Sequence, residues 1–307
     1  MVTLRQFEIF ARIAETGNMS DAATQLGLTQ PALSQQLRLL EDRLGMRLFE
    51  RVPRGLQLTP SGRQLLQPAR QILGAVRDFG EAADRLAARP AATIRFGVTP
   101  TIGPYLMPQV IRELHRRYPD LRLYIREGIP AEQQAELAAG ELDMVLSPLP
   151  IAPRGLQVEP LFRERLRIVA PPDDALASAG RLPAGAFAGR TFLTLDHRHH
   201  YHRQIEAVCA RLGASILADY RGTSLEALRQ MAASGVGLAL LPELYIASDA
   251  SGLDGVVLTE PEGWDEYRSV GAAWRASAAF AHLYAEVAET IGQQARLRLG
   301  LSLTSGP

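Results

Sequence analysis

Apolar residues recur every three to four positions through the first ninety residues, the period of helices packed on one side. Leu4, Phe7, Phe10 and Ala14 mark one face of a helix that ends near Gly17. Ser20 followed by Asp21 predicts the start of a second, and Ala22, Ala23 and Leu26 give it a short apolar face before Gly27. Thr29 predicts the cap of a third, with Pro31 in its first turn, where a missing N–H does no harm. There Leu33, Leu37, Leu40 and Leu44 form the inner stripe, with Gln30, Ser34 and Arg38 opposite and Gln35 beside them. "RLFER" and "LQLT" read as two short strands around a Pro-Arg-Gly turn. Thr59-Pro60 opens a long helix whose seam is Leu65, Leu66, Ile72, Leu73, Val76, Phe79, Ala83 and Leu86. A single seam on an exposed helix implies a partner helix, hence a dimer. Pro68 lies about two turns in and is expected to remove a hydrogen bond and bend the helix. "AARPAAT" reads as a hinge, with Pro90 ending the helix.

From Thr93 the pattern changes to short apolar strands alternating with helices: "TIRFGVT", "LRLYIREG", "DMVLSP", then "RLRIVAPP", "RTFLTL", "SILADYRG" and "GLALLP". Such alternation predicts a parallel sheet with helices on both faces, and there is enough chain for two α/β lobes. Ligands in such folds bind beyond the carboxyl ends of strands, where helix N-termini favour anions. Thr99, Pro100 and Thr101 follow the first strand, Ser147 follows the third, and Thr223 and Ser224 open a helix in the second lobe. One hydroxyl there is an ordinary cap; the three sets together suggest a small polar ligand in an interlobe cleft.

Length and composition fit this picture: 307 residues, 47% apolar and 21% charged, suit two or three globular units. Net charge is zero, so global charge does not announce a nucleic-acid partner, but its distribution is uneven. Every basic residue is an arginine, and seven of them (38, 43, 47, 51, 54, 63 and 70) fall between Thr29 and Arg70 against three acids, Glu41, Asp42 and Glu50. A single cysteine, Cys209, excludes an intramolecular disulfide and fits a reducing compartment. No stretch is apolar enough to span a membrane, and the N-terminus reads as an amphipathic helix instead of a secretory signal. A cytoplasmic protein is expected. There is no G-x-S-x-G elbow, P-loop, H-E-x-x-H motif or paired cysteine, so no enzyme, cofactor or metal site is expected from motifs.

Two helices joined by a Gly-containing turn, the second with a polar outer face, suit the DNA major groove. Gln and Arg pair with base edges, and Ser reaches base or phosphate. The strand pair behind them reads as a wing carrying Arg51 and Arg54 toward phosphates. The ungapped run "FEIFARIAETGNMSDAATQLGLTQPALSQQLRLLEDRLGMRLFER…GLQLTPSG" resembles the N-terminal signature of the LysR-type transcriptional regulators. The resemblance implies that Gln30, Pro31, Ser34, Gln35 and Arg38 sit on the reading face and Arg51 and Arg54 on the wing. Many members carry Arg where Gln35 stands, so a weaker phosphate or guanine contact and an altered base preference are expected here. It further implies an α/β chain: a winged helix-turn-helix (1–59), a linker and dimerisation helix with hinge (60–90), and a two-lobed, periplasmic-binding-protein-like effector domain (91–300) with a tail (301–307). Lobe I would be 91–160 and 267–300, lobe II 161–266, with crossings near 161 and 266. Implied partners are an imperfect inverted repeat of double-stranded DNA, a small-molecule effector, RNA polymerase, and further copies of the chain as homodimer or homotetramer.

"PTIGPYLMP", "GELDMVLSP" and "TSLEALRQMAASGVGLALLP" resemble the peroxide-sensing OxyR subgroup of that family. Its members carry two cysteines nine residues apart in the segment matching "LDHRHHYHRQIEAVC", the first reactive and the second resolving. Cys209 matches the second, His200 stands at the first, and His199 matches the preceding histidine. His200 cannot form a sulfenic acid, and one thiol cannot close an internal disulfide, which speaks against a peroxide switch. Pro130 replaces a threonine of the subgroup and points the same way. His199 and His200 are expected in the effector pocket. The alternative is a redox or metal sensor over His197–Cys209, since His197 and His200, or His199 and His202, would share a face if the segment is helical. An imidazole cluster near neutrality also suits a pH-sensitive or anion-binding loop.

Overall fold

A computed structural model of the chain describes residues 2–52, 55–86, 93–152, 155–177, 182–248 and 253–301. Two compact units emerge: residues 1–89 with 136–141, and residues 90–135 with 142–307.

In the first unit, α1 (Leu4–Thr16) opens on a capping box in which Thr3 and Gln6 each accept the other's backbone N–H. Gly17, at φ 62°, ends it. Its buried face is Ile9, Phe10 and Ile13, rotated from the expected stripe, and Leu4 is 44% exposed. The capping box explains the rotation, because Gln6 takes the inward position of the first turn. The cap of α2 (Met19–Gln25) is Asn18, two residues before the expected Ser20, because its Oδ1 reaches the N–H groups of both Ser20 and Asp21. Thr29 caps α3 (Gln30–Leu44) as expected, with Leu33, Leu37 and Leu40 buried and Leu44 partly so. Strands β1 (Phe49–Val52) and β2 (Gly55–Leu58) form an antiparallel ribbon, and Phe49 meets Phe10 edge-on at 5.6 Å between centroids.

Helix α4 (Pro60–Leu86) starts at Thr59, whose hydroxyl accepts the Gly62 N–H. It runs through Pro68 without interruption, and that residue is exposed. Leu65 and Leu66 pack on the helical core, whereas Ile72, Val76 and Phe79, at 40, 45 and 77% exposure, form an open stripe. The expected hinge over "AARPAAT", including Pro90, lies outside the described residues except for Thr93.

After α4 the chain forms, in order, β3 (Thr93–Val98), α5 (Gly103–Arg117), β4 (Arg122–Glu127), α6 (Pro130–Ala138), β5 (Met144–Pro148), β6 (Leu156–Ala170), β7 (Thr191–Leu195), α7 (His200–Leu212), β8 (Ser215–Gly222), α8 (Leu225–Ala233), β9 (Ala239–Pro242), α9 (Glu243–Ser248), β10 (Val257–Leu258), β11 (Tyr267–Arg275) and α10 (Ala281–Arg298), all in the second unit but for the last turn of α6. The sheets are mixed, not all parallel. β3 is parallel to β4 and β5, and β7 is parallel to β8. β11 runs antiparallel to β5 and β6, and β6 antiparallel to β9 and β10. The reason is topological: β6 carries the chain out of one apolar core and β11 brings it back, so the two passages run in opposite directions. One core gathers Phe96, Leu106, Leu146, Phe162, Val270 and Tyr284; the other gathers Leu166, Ile168, Phe192, Tyr201, Leu228 and Leu240. The division falls on β6 between Phe162 and Leu166.

Candidate DNA-reading and effector sites

The inner stripe of α3 turns its other face outward. Gln30, Pro31, Ser34, Gln35 and Arg38 are all exposed. Gln30 Oε1 lies 3.5 Å from Ser20 Oγ of α2, so the first residue of the face is steadied by the preceding helix. Arg38 keeps only a loose ion pair with Asp42, 3.9 Å away with both side chains exposed. Arg51 is exposed on β1, opposite Leu56. Arg54 lies outside the described residues. A helix with a polar outward face beside a two-stranded ribbon bearing arginine has the form of a winged helix-turn-helix.

In the second unit the parallel registers align the carboxyl ends of strands. Val98 pairs with Leu146, so Thr99 and Ser147 follow at neighbouring strand positions. Ser147 lies inside β5 instead of after it, is 1% exposed, and donates to the Pro148 carbonyl. Thr99 and Thr101 are buried with their hydroxyls 3.4 Å apart, and Pro100 is half-buried between them. In the other lobe Leu195 pairs with Gly222, which brings the segment after β7 beside Thr223 and Ser224. Ser224 accepts the Ala227 N–H as the cap of α8, and Thr223 is exposed.

Sequence reading missed the buried pair that holds the segment after β3. Arg268 donates to Thr101 Oγ1 at 2.9 Å, to the Thr101 carbonyl at 2.8 Å, and to Glu164 Oε1 at 2.7 Å. Glu164 Oε2 accepts the Leu244 N–H of α9 at 2.7 Å. The two side chains are 1% and 0% exposed. A detectable signal existed: in "FRERL" the alternation of β6 puts Glu164 in phase with Phe162 and Leu166, and Arg268 is in phase with Val270.

The histidine segment divides at the start of α7. His197 and His199 precede the helix and His200 is its first residue, so neither expected pair shares a helical face. Asp196 accepts the Arg198 backbone and side-chain N–H groups, which hold its carboxyl down at about 2. Arg198 also lies 3.4 Å from Glu132 of α6, both side chains exposed. His197 is exposed and lies 3.4 Å from Arg221. His199 and His200 are half-buried, and burial is the main reason both titrate below the ordinary imidazole range. His200 Nδ1 is a buried atom with no hydrogen-bond partner. His202 instead turns to Thr194 Oγ1, 3.2 Å away, and to Glu206. Cys209 is 5% exposed in the lobe core, and burial with Glu206 pushes its thiol up to about 11. Among the described residues no group of three or more His, Cys, Asp or Glu could hold a metal ion, and no helix is long and apolar enough to cross a membrane.

A winged helix-turn-helix followed by a two-lobed α/β unit defines a class of DNA-binding regulators with an attached sensor domain. Residues 4–63 match the family described as bacterial regulatory helix-turn-helix protein, lysR family, and residues 87–296 match the LysR substrate binding domain. The chain belongs to the LysR family of DNA-binding transcriptional regulators. It is similar to the DNA-binding transcriptional dual regulator OxyR of Escherichia coli K12, at 32% identity over 94% of this chain and 95% of that one. A probable hydrogen peroxide-inducible genes activator of Streptomyces viridosporus is 34% identical over 96% and 95%. Among solved structures, a full-length OxyR variant from Pseudomonas aeruginosa superposes with TM-score 0.75 at 27% identity, covering 100% and 99% of the two chains. A Corynebacterium glutamicum OxyR mutant with H2O2 bound gives 0.64 at 29%, covering 99% and 98%.

Proposed function

We propose that this LysR-type regulator reads an imperfect inverted repeat of double-stranded DNA through Gln30, Pro31, Ser34, Gln35 and Arg38, with Arg51 and Arg54 on flanking phosphates. A small molecule in the interlobe cleft, touching Thr99, Pro100, Thr101, Ser147, His199, His200, Thr223 and Ser224, sets its activity. The observation that carries this reading is the Thr99–Thr101 hydroxyl pair at the carboxyl end of β3, locked by Arg268 to the strands that cross between lobes. A ligand that rebinds the Thr101 hydroxyl changes the hydrogen bonding of the crossing strands, and any such coupling is reciprocal. The open stripe Ile72, Val76 and Phe79 supports a dimer through α4, which pairs two reading helices for a two-fold site. The domain boundaries follow as 1–59, 60–90 and 91–300, with the lobes exchanging near residues 161 and 266. Recruitment of RNA polymerase in the cytoplasm completes the scheme.

The likeness to peroxide-inducible activators favours a second reading, a redox sensor over residues 197–209. Against it stand the single cysteine and the burial of Cys209, together with the resemblance that sets His200 at the position of the reactive thiol. Operator DNA for the test is selected from a random pool by the protein itself. Its affinity is then measured before and after peroxide for the wild type and Cys209→Ser, beside a thermal-shift screen of small molecules. A ligand-dependent change with no peroxide effect supports the cleft reading. A peroxide effect abolished by Cys209→Ser supports the sensor reading and overturns the other.

A further inference from the structure

Glu41 is the one acid on the inner stripe of α3, following Leu33, Leu37 and Leu40 there, and it is 5% exposed. A carboxylate in such a place needs every lone pair answered. Its Oε1 accepts the backbone N–H groups of Leu48 at 2.8 Å and Phe49 at 3.3 Å, and its Oε2 accepts Arg47 Nη1 at 2.6 Å. Two successive N–H groups aimed at one oxygen fix the direction in which the chain enters β1.

The carbonyl edge of the same segment is held from the other side. Thr59 donates its hydroxyl to the Arg47 carbonyl at 2.7 Å and its backbone N–H to the Leu48 carbonyl at 2.9 Å. Gly62 leaves room for that carbonyl: a Cβ there would stand 2.2 Å from the Leu48 oxygen. Beyond the grip, Phe49 is anchored on Phe10. Arg51 follows two residues later on the same face of the ribbon, about 7 Å further out. The second strand is tied separately, through the Leu56 N–H to the Gly17 carbonyl at 2.9 Å.

We propose that Glu41 is a positioning residue for DNA binding: its carboxylate sets the wing against the reading helix so that Arg51 reaches the phosphate backbone. The proposal rests on the assignment of Arg51 to a wing phosphate. Glu41 touches no DNA itself. Removing its negative charge would by simple electrostatics strengthen DNA binding, so weaker binding on its loss reports position.

The test measures the affinity of the full chain for its selected site across a salt gradient. Arg51→Ala is expected to lower the slope of log affinity against log salt by about 0.9, the signature of one phosphate no longer neutralised. Glu41→Ala is expected to lower it by the same amount, and the double variant by no more than either single one. Glu41→Gln, which keeps an oxygen for the two N–H groups, is expected to restore the wild-type slope. Should Glu41→Ala fail to fold, Glu41→Asp serves in its place, because it keeps the charge but withdraws it by one methylene. If Arg51→Ala loses slope while folded Glu41→Ala, or Glu41→Asp in its place, keeps it, or if the double variant loses the sum, the proposal is overturned and the role of Arg51 stands. If Arg51→Ala keeps the wild-type slope, the role of Arg51 and the proposal fall together.

Discussion

Arg268 and Glu164 face each other as register partners on β11 and β6, the two strands that pass between the lobes, with Nε and Oε1 2.7 Å apart and both side chains out of water. Each uses its remaining atoms on a different part of the fold, Arg268 on Thr101 and Glu164 on Leu244. Glu164→Gln leaves a buried guanidinium without its counter-charge, and such losses cost about 3–5 kcal/mol. Denaturant unfolding of the full chain checks this. The expected result is a lower midpoint for Glu164→Gln, and a smaller loss for Glu164→Leu with Arg268→Met, in which neither charge remains.

Gln30, Ser34 and Arg38 stand one turn apart along the exposed face of α3. Replacing Gln30 or Arg38 by Ala is expected to weaken binding by about 1–3 kcal/mol for each base edge it no longer reads and to relax preference at that base pair. Binding to a panel of single-base operator variants separates this from a phosphate-binding role, whose removal weakens all sequences alike.

Ile72, Val76 and Phe79 stand exposed as a stripe along α4. Val76→Asp is expected to shift the chain toward monomer in sedimentation velocity. Operator affinity should fall with it while binding of a single half-site is kept, since each half-site needs only one reading helix.

Burial holds His199 and His200 below the usual imidazole range. A histidine depressed in the folded state binds protons more readily when unfolded, so stability rises with pH between its folded and unfolded values. Lowering the pH from 7 to 5 is therefore expected to lower the melting temperature. His200→Gln should flatten part of that slope. An unchanged slope would show that the ring titrates alike in both states.

Much of the helical unit was legible because helix caps and stripes are local. Thr29, Pro31 and the leucines of α3 needed only their own spacing. The rotation of α1 was hidden because the Thr3–Gln6 capping box outweighed the apolar period at Leu4. In the lobes, the strands could be read but not their directions, since antiparallel β6 and β11 meet across about a hundred residues. Arg268 and Glu164 escaped for the same reason. Strand alternation marks each as inward-facing, but only the register sets one opposite the other. The histidine segment was legible as a run of imidazoles, but the expected ring pairing disappeared because α7 begins only at His200.

The coupling of the Thr99–Thr101 pair to DNA is most directly tested by one measurement: operator affinity with and without a small molecule that stabilises the protein in a thermal-shift screen, for the wild type and for Thr101→Val. The expected result is a ligand-dependent change of about 5–150-fold in the wild type, the usual range of allosteric coupling, and a loss of that change in Thr101→Val with unliganded DNA binding intact. An equal response in both proteins, or a response to peroxide that depends on Cys209, would contradict it.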